Sequence, residues 1–183
     1  VAFSTNEFRW SPRIKREDGL IRIVPGLGTR AVDRIGNDYP VLISPGKPEL
    51  RVNLTLSDYL AYSPRNIDVI NLEKNTFETI PINKLIEEVG NNYPALNNVF
   101  SIVEDNHLKV PVGLGIDTKQ HDIIPTFDNL INKTDCIKQL NEILKLLRST
   151  IGTPVDVEFA SDGESFYLLQ CRPQSYYSDN ASA

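Results

Sequence analysis

Alternating apolar and polar positions near the end of the chain predict two short strands. The alternation covers residues 155–159 and 166–172, and in the first segment valine and phenylalanine alternate with aspartate and glutamate. A period of two is typical of β-strands, in which successive side chains point to opposite faces. The small polar residues between the two segments favour a tight turn. This region therefore predicts a β-hairpin that carries polar groups on one of its faces.

The same kind of pattern predicts further strands and two helices. Strands are expected at residues 20–24, 50–54, 67–72, 76–80, 99–103 and 107–110, of which the last four form two hairpins. Apolar residues at helical spacing predict one helix over 82–89, ending at Gly90, and a longer helix over 135–150. Thr134 is a candidate N-cap of the longer helix, and Gly152 lies just past its end. This order of elements indicates an α+β lobe with a mainly antiparallel sheet covered by helices.

The hairpin predicted near the end of the chain carries three side chains with useful chemistry. Glu158, Gln170 and Arg172 offer a carboxylate, an amide oxygen and a guanidinium, which suit a magnesium-bound polyphosphate. Glu158 and Gln170 are an even number of positions apart, so they share a face only if the loop between the strands has an odd number of residues. We predict a three-residue loop with Gly163 in a left-handed conformation. The alternative is an ordinary hairpin whose charged side chains are solvated or salt-bridged.

A glycine-rich loop follows the strand predicted at residues 20–24. Gly26 and Gly28 have no β-carbon, so the backbone N–H groups of this loop can approach an anion closely. Thr29 and Arg30 add a hydroxyl and a positive charge next to it. The alternative is a simple turn, because two glycines after a strand commonly mark no more than that.

Composition excludes several classes of protein. The 183 residues are 40% hydrophobic and 23% charged, which is ordinary for a globular domain. The net charge of −5 and the dispersed basic residues argue against a nucleic-acid-binding surface. No apolar run is long enough to cross a membrane, and Cys136 and Cys171 form no metal-binding or redox pattern. We therefore expect a soluble, cytoplasmic protein with two reduced thiols.

Three segments of the chain together resemble a known family. Residues 156–173 contain the runs Asp-Val-Glu-Phe-Ala and Leu-Leu-Gln-Cys-Arg-Pro. They are similar to the C-terminal hairpin of the ATP-grasp nucleotide-binding domain of phosphoenolpyruvate synthases and pyruvate phosphate dikinases. Residues 1–6 and the Gly-Leu-Gly loop within 25–34 resemble earlier parts of that domain, whereas the middle of the chain matches less clearly. The resemblance implies that Glu158 and Gln170 bind Mg²⁺, that the glycine-rich loop contacts ATP, and that Arg172 contacts phosphate during catalysis.

The resemblance also implies an activity and its partners. In this family the domain binds Mg-ATP and passes a phosphoryl group to a histidine on a separate domain, after which a third domain phosphorylates pyruvate. His107 and His121 lack the Thr-Ser/Cys-His context of the family's phosphohistidine, so neither is expected to take that role. We expect the nucleotide-binding lobe of a phosphotransferase that is catalytically silent by itself.

The predicted organisation is one lobe over residues 1–176 and a flexible tail over 177–183. The chain has no methionine and begins inside a predicted strand, so we interpret it as part of a longer protein. An alternative function stays open, namely a non-catalytic nucleotide-sensing or structural domain with a degenerate ATP-grasp fold. Two departures from the family pattern favour this alternative, because Thr5 stands where many relatives have arginine and no proline follows Asn6. The presence of Glu158, Gln170 and Arg172 argues against it.

Overall fold

The strands and helices of this protein are short, and turns separate them. The computed structural model describes residues 9–32, 38–111 and 122–174. The strands are β1 (Ile21–Ile23), β2 (Val41–Ile43), β3 (Asn66–Asn71), β4 (Thr76–Pro81), β5 (Phe100–Glu104), β6 (His107–Lys109), β7 (Asp122–Pro125), β8 (Val155–Ser161) and β9 (Phe166–Pro173). The helices are α1 (Thr29–Val32), α2 (Leu56–Tyr62), α3 (Ile82–Val89), α4 (Leu96–Val99), α5 (Asp128–Lys133) and α6 (Cys136–Ile151), and 3-10 turns cover Arg16–Asp18 and Gly90–Asn92.

The described strands form four small antiparallel sheets. Three of them are the pairs β1–β2, β3–β4 and β8–β9, and the fourth has the strand order β6–β5–β7. The predicted α+β class is confirmed, although the strands are divided over several sheets where a mainly antiparallel single sheet was expected. A parallel bridge between Gly26 and Asp68 connects the loop that follows β1 to β3. Backbone pairing therefore links the first two sheets at the glycine-rich loop.

Two clusters of buried apolar side chains hold the sheets and helices together. The first cluster combines β1, β2, α5, α6 and β8, with Ile21 and Val157 among its most buried members. The second combines β3, α3, α4, β5 and β7, and includes Ile67, Ile86 and Phe100. Burial of a side chain of this kind contributes about 1.5–3 kcal/mol. Because β1 and β8 share the first cluster, the loop that follows β1 and the β8–β9 hairpin are built on the same core.

Most of the elements predicted from the hydrophobic pattern are confirmed. The strand expected at 20–24 is β1, and the two predicted hairpins are β3–β4 and β5–β6. The helix expected at 82–89 is α3, with Ile82 and Ile86 buried. The long helix is α6, and Gly152 follows it in a left-handed conformation with φ of +80°. Its N-cap position holds Asp135 in place of the predicted Thr134. The Thr134 hydroxyl accepts a hydrogen bond from the Cys136 N–H at 3.2 Å and donates one to the Leu130 carbonyl of α5 at 2.6 Å.

The strand predicted at residues 50–54 is wrong. This segment is irregular, and side chains satisfy two of its backbone groups. Trp10 Nε1 donates to the Leu50 carbonyl at 2.9 Å, and the Asp58 carboxylate accepts from the Leu54 N–H at 3.1 Å. Backbone groups that bind side chains in this way are withdrawn from a ladder between strands.

Candidate functional site

The β8–β9 hairpin gathers four polar side chains on one face. In its antiparallel ladder Glu158 lies opposite Gln170, and Asp156 lies opposite Arg172. Positions two apart on a strand share a face, so these two pairs are neighbours. The alternating residues of β8 at 155, 157 and 159 are only 2–3% exposed and belong to the first core cluster. The core therefore fixes β8 from behind, and the pair of Glu158 and Gln170 is presented on the other face.

The loop that connects the two strands of the hairpin differs from the predicted one. Four residues, 162–165, connect the strands, and Leu169 has no cross-strand partner because the register shifts by one residue beside it. The predicted three-residue loop is therefore wrong, although the predicted pairing of Glu158 with Gln170 is confirmed. A bulge of one residue has the same effect on register as removing one residue from the loop. Gly163 has a positive φ of +97°, as expected.

Asp162 organises the loop at the tip of the hairpin. Its carboxylate accepts hydrogen bonds from the N–H groups of Glu164 and Ser165 at 2.9 and 2.7 Å, and from the Tyr167 hydroxyl at 2.8 Å. These hydrogen bonds, the Ser165 N–H first, lower the pKa of Asp162. The tip is thus a local carboxylate-capped turn.

Asp156 and Arg172 form a loose ion pair that leaves donor and acceptor capacity unused. Arg172 Nε lies 3.6 Å from Asp156 Oδ2, and the Arg172 side chain is 64% exposed. The other carboxylate oxygen of Asp156, Oδ1, is buried and has no hydrogen-bond partner among the described residues. Several Arg172 N–H groups therefore remain available to an anion, and one Asp156 oxygen remains available to a cation or donor.

The residues on this face fit a magnesium ion that is bound together with phosphates. The face offers carboxylate oxygens from Asp156 and Glu158 and an amide oxygen from Gln170, and these are the hard oxygen donors that Mg²⁺ prefers. Within the described ranges, no group of three or more His, Cys, Asp or Glu side chains forms a self-sufficient metal centre. Mg²⁺ commonly takes one or two carboxylates and completes its coordination with phosphates and water. The donor set matches that shared type of site.

The glycine-rich loop after β1 lies tightly against β3. Gly26 has φ of +73°, and a β-carbon there would lie 2.4 Å from Ile67 Cγ1 and 2.6 Å from the Asp68 carbonyl oxygen. The Leu27 N–H donates to that same carbonyl at 2.9 Å. Glycine is therefore required at position 26 both by conformation and by space. The structure shows a close approach of this loop to the protein's own strand β3.

Asp68, inside β3, is the centre of a buried polar network beside this loop. It is 2% exposed and accepts hydrogen bonds from the Thr29 hydroxyl at 2.5 Å, from Arg30 Nε at 2.9 Å and from the Thr79 hydroxyl at 2.6 Å. Arg30, itself 8% exposed, also forms an ion pair with Asp38 at 2.7 Å. One guanidinium thus joins two carboxylates, as a buried charge requires partners.

The network keeps Asp68 ionised. Burial alone would raise the pKa of this carboxyl, but the hydrogen bonds from Thr29, Thr79 and Arg30 outweigh burial and hold the pKa below its ordinary value. Thr29 and Arg30 therefore both direct their side chains to Asp68. Their predicted contact with a nucleotide stays a prediction, and so do the ligand roles of Gly26 and Gly28.

Sequence reasoning missed Asp68 and Asp38. A signal for Asp68 was present, because it is a charged residue within the apolar run of β3, next to the buried Ile67. Asp38 follows a segment outside the described residues, and it accepts hydrogen bonds from the backbone N–H groups of Arg65 and Asn66 at 2.7 and 3.2 Å. Both carboxylates bind the loop and α1 to the β3–β4 hairpin.

Several other residues considered in the sequence analysis lie outside both the polar face of the hairpin and the network around Asp68. His107 is an exposed residue of β6, and its Nδ1 lies 2.7 Å from the Asp105 carbonyl oxygen. Cys136 and Cys171 are free thiols, and burial raises the pKa of Cys136. His121, residues 1–6 and the predicted tail at 177–183 lie outside the described residues. In the parts that are described, no helix has the length and apolar character needed to cross a bilayer.

Comparison with known proteins gives a match to one family. The family model for the pyruvate phosphate dikinase AMP/ATP-binding domain matches residues 1–183. This span includes both the glycine-rich loop and the β8–β9 hairpin. Neither the comparison with curated proteins nor the comparison with solved structures gave a match.

Proposed function

The chain belongs to the pyruvate phosphate dikinase AMP/ATP-binding domain family, and from this premise we propose that it binds Mg-ATP for phosphoryl transfer to a histidine on another domain. Family membership supports ATP as the ligand. The observation that carries the rest of the proposal is the position of Glu158 opposite Gln170, with Arg172 on the same face. This face combines the oxygen donors of a magnesium site with a guanidinium suited to phosphate.

Each residue of the hairpin face has a distinct part in the proposal. Glu158 and Gln170 would hold Mg²⁺, with Asp156 beside them, and the ion would bridge phosphate oxygens and offset their charge. Arg172 would bind phosphate oxygens through its exposed N–H groups and offset charge that develops during transfer. Because β8 is anchored in the core by Val157 and Phe159, the two strands hold these groups in place before ATP arrives.

The glycine-rich loop contributes in a different way. We propose that Gly26 and Gly28 let the loop backbone lie close to the nucleotide. Thr29 and Arg30 maintain the loop through Asp68, since both side chains are hydrogen-bonded to that carboxylate. The loop is then a preformed surface whose shape does not depend on the nucleotide.

The partners and location follow from the family. The acceptor would be a histidine on a separate domain, and a further domain would use pyruvate or phosphoenolpyruvate. A phosphotransferase of this type would act in the cytoplasm. The lobe alone supplies only part of the first step, so we expect it to be inactive in isolation.

A second candidate function has one observation in its favour. Arg30 already has two carboxylate partners, and its side chain is nearly inaccessible. A loop whose charge is internally balanced suits a domain that binds a nucleotide for sensing or structure without transferring phosphate. The hairpin face, with its exposed Arg172, favours the phosphotransferase.

Calorimetric titration of Mg-ATP into the full-length protein tests the proposal. The variants are Glu158→Gln and Arg172→Ala, with Glu164→Gln in the exposed loop of the same hairpin as a matched control for Glu158→Gln. We expect at least about tenfold weaker binding in both site variants and unchanged binding in the control. Omitting Mg²⁺ should weaken binding to the parent more than binding to Glu158→Gln.

The outcomes separate the two candidate functions. Binding to the parent followed by acid-labile labelling of the protein from ATP labelled in both its β- and γ-phosphates supports the phosphotransferase. Hairpin-dependent binding with no labelling of the full-length protein supports the sensing domain. Binding that is equal in the parent, Glu158→Gln and Arg172→Ala would remove the hairpin face from the nucleotide site.

A further inference from the structure

A cavity of about 140 Å³ opens between the 3-10 turn Arg16–Asp18, one side of α6 and the first residue of β8. One water molecule needs about 10–15 Å³, so the cavity has room for a small molecule. Val155 of β8 lines it, whereas Asp156 and Glu158 belong to the polar face of the hairpin. Because successive residues of a strand point to opposite faces, the cavity lies on the other side of β8 from the proposed magnesium site.

The turn that forms one wall of the cavity is packed against the helix that forms another. Gly19 ends the turn with φ of +72°, and a β-carbon there would lie 3.2 Å from Pro45 Cγ and 3.7 Å from Leu144 Cδ1 of α6. The Asp18 carbonyl accepts a hydrogen bond from the Gly46 N–H at 2.8 Å. These contacts fix the turn on both of its sides, so the cavity is formed before any ligand arrives.

Positive side chains predominate in the lining of the cavity. Arg16 comes from the turn, while Lys145 and Arg148 are three positions apart and lie on the same side of α6. Glu17 is the one acidic residue of the lining, so three positive charges and one negative charge give the lining a net charge of +2 in a chain of net charge −5. A concave surface with one predominant sign of charge concentrates ions of the opposite sign.

The two guanidiniums of the cavity are not committed to carboxylates. Both arginine side chains are exposed, and among the described residues neither Arg16 nor Arg148 has an ion-pair partner. Lys145 pairs with Glu142 at 3.0 Å, but the two side chains are 61% and 64% exposed, so this pair is weak. Guanidinium groups that are free to form paired hydrogen bonds suit the oxygens of a phosphate group.

We propose that this cavity is a second anion site, which binds a small molecule that carries a phosphate group. The phosphate would lie among Arg16, Lys145 and Arg148, and a carbon part of the ligand would contact Leu144 and Pro154, which are apolar members of the lining. The proposal is independent of the proposed function, because the cavity and the polar face of the hairpin have no residue in common.

Titration of inorganic phosphate into the full-length protein at constant ionic strength tests the proposal. The reference protein is Arg172→Ala, which lacks the exposed guanidinium of the hairpin face, so that phosphate binding at the proposed ATP site is suppressed. In this background, Arg16→Gln and Arg148→Gln each remove one positive charge from the cavity. Arg13→Gln removes the charge of an exposed arginine that does not line the cavity and is the matched control. The readout is the backbone amide resonance of Gly19.

The reference protein should bind phosphate saturably, with a shift of the Gly19 amide resonance. We expect about tenfold weaker binding in Arg16→Gln and in Arg148→Gln, and a change of less than about twofold in Arg13→Gln. Glu17→Gln removes the negative charge of the lining and should tighten binding about threefold. A gain of affinity of this kind cannot come from a folding defect.

A phosphomonoester such as glycerol 2-phosphate distinguishes two sources of the phosphate group. Tighter binding of the ester than of inorganic phosphate would support a ligand whose carbon part contacts the apolar lining, and the reverse order would support inorganic phosphate itself. Absence of saturable binding of both anions to the reference protein would overturn the proposal. An equal loss of affinity in Arg13→Gln and in the two cavity variants would also overturn it, because only general attraction would then remain. Failure of Mg-ATP binding would contradict the proposed function and leave this test unchanged.

Discussion

Glu158 lies directly opposite Gln170 across the β8–β9 ladder, and a bulge beside them sets this pairing. Leu169 is the extra residue of the bulge, and its side chain is 63% exposed. With four residues in the loop, the ladder from the tip pairs Phe159 with Leu168, and the pairing resumes at Gln170. The register of the functional face therefore depends on the loop and the bulge together.

Deleting Leu169 should leave the functional face intact. The deletion removes the unpaired residue, so Phe159 with Leu168 and Glu158 with Gln170 become consecutive pairs of a regular ladder. We expect the cross-strand nuclear Overhauser contacts of Glu158 with Gln170 to persist and Mg-ATP affinity to change by less than about threefold. Loss of binding with the contacts retained would show that the local twist of the bulge is needed as well as the register.

Asp68→Asn should destabilise the protein strongly. The substitution leaves Arg30 buried with one carboxylate partner in place of two, and breaking a buried ion pair in this way costs about 3 kcal/mol. Urea unfolding of the parent and the variant measures the difference. Glu142→Gln breaks an exposed ion pair with Lys145 and should leave the free energy of unfolding almost unchanged. Equal effects of the two substitutions would contradict the central role of Asp68.

The same carboxyl should give the protein an acid-sensitive component of stability. The folded-state pKa of Asp68 is held below its ordinary value of 3.8 by Thr29, Thr79 and Arg30 against the effect of burial. A lowered pKa contributes stability that is present above the unfolded-state pKa and is lost as the pH falls through the folded-state pKa. Thermal unfolding should be measured between about pH 2 and about pH 6. Below about pH 4 the unfolding temperature of the parent should fall more steeply with decreasing pH than that of Asp68→Asn. Parallel curves would mean that Asp68 is not the group responsible.

Gly26→Ala should disturb the glycine-rich loop more than its backbone conformation alone predicts. The added β-carbon would lie 2.4 Å from Ile67 Cγ1, in addition to the strain of a positive φ. We expect a loss of about 3 kcal/mol, from about 1 kcal/mol of conformational strain and about 2 kcal/mol of overpacking. Gly152→Ala, also at positive φ but with nothing within 4 Å, should show the strain without the overpacking. If the two variants unfold at the same denaturant concentration, the close contact with Ile67 is unimportant.

The hydrophobic pattern was sufficient for β1, β3, β4, β5, β6, β8, β9, α3 and α6, but not for the remaining elements or for the loop of the hairpin. Alternation over residues 155–159 predicted β8, and the pairing of Glu158 with Gln170 followed from the requirement for a common face. A loop with an odd number of residues and no bulge gives the same pairing as a loop with an even number of residues and one bulge. The sequence spacing of Glu158 and Gln170 therefore could not decide between them. The strand predicted at 50–54 failed for another reason, because Trp10 and Asp58 bind backbone groups that the pattern assigned to a ladder.

The polar contacts of the loop could not be predicted because they are distant in sequence. Asp68 is 39 positions from Thr29, 38 from Arg30 and 11 from Thr79. A charge inside an apolar strand signals a buried partner, but the sequence does not say which basic residue fills that role. Gly26 was predicted to let the loop backbone approach an anion, which stays a prediction, and its contact with β3 was not foreseen from the sequence.

The sharing of Arg30 between Asp38 and Asp68 limits how this part of the chain can change during evolution. A lineage that loses either carboxylate leaves Arg30 with one carboxylate partner in place of two, and a lineage that loses Arg30 leaves two buried carboxylates without their shared cation. Replacement by apolar residues would restore stability only when all three positions have changed. These sites should therefore vary as a set among relatives, and intermediates with a single change should be rare.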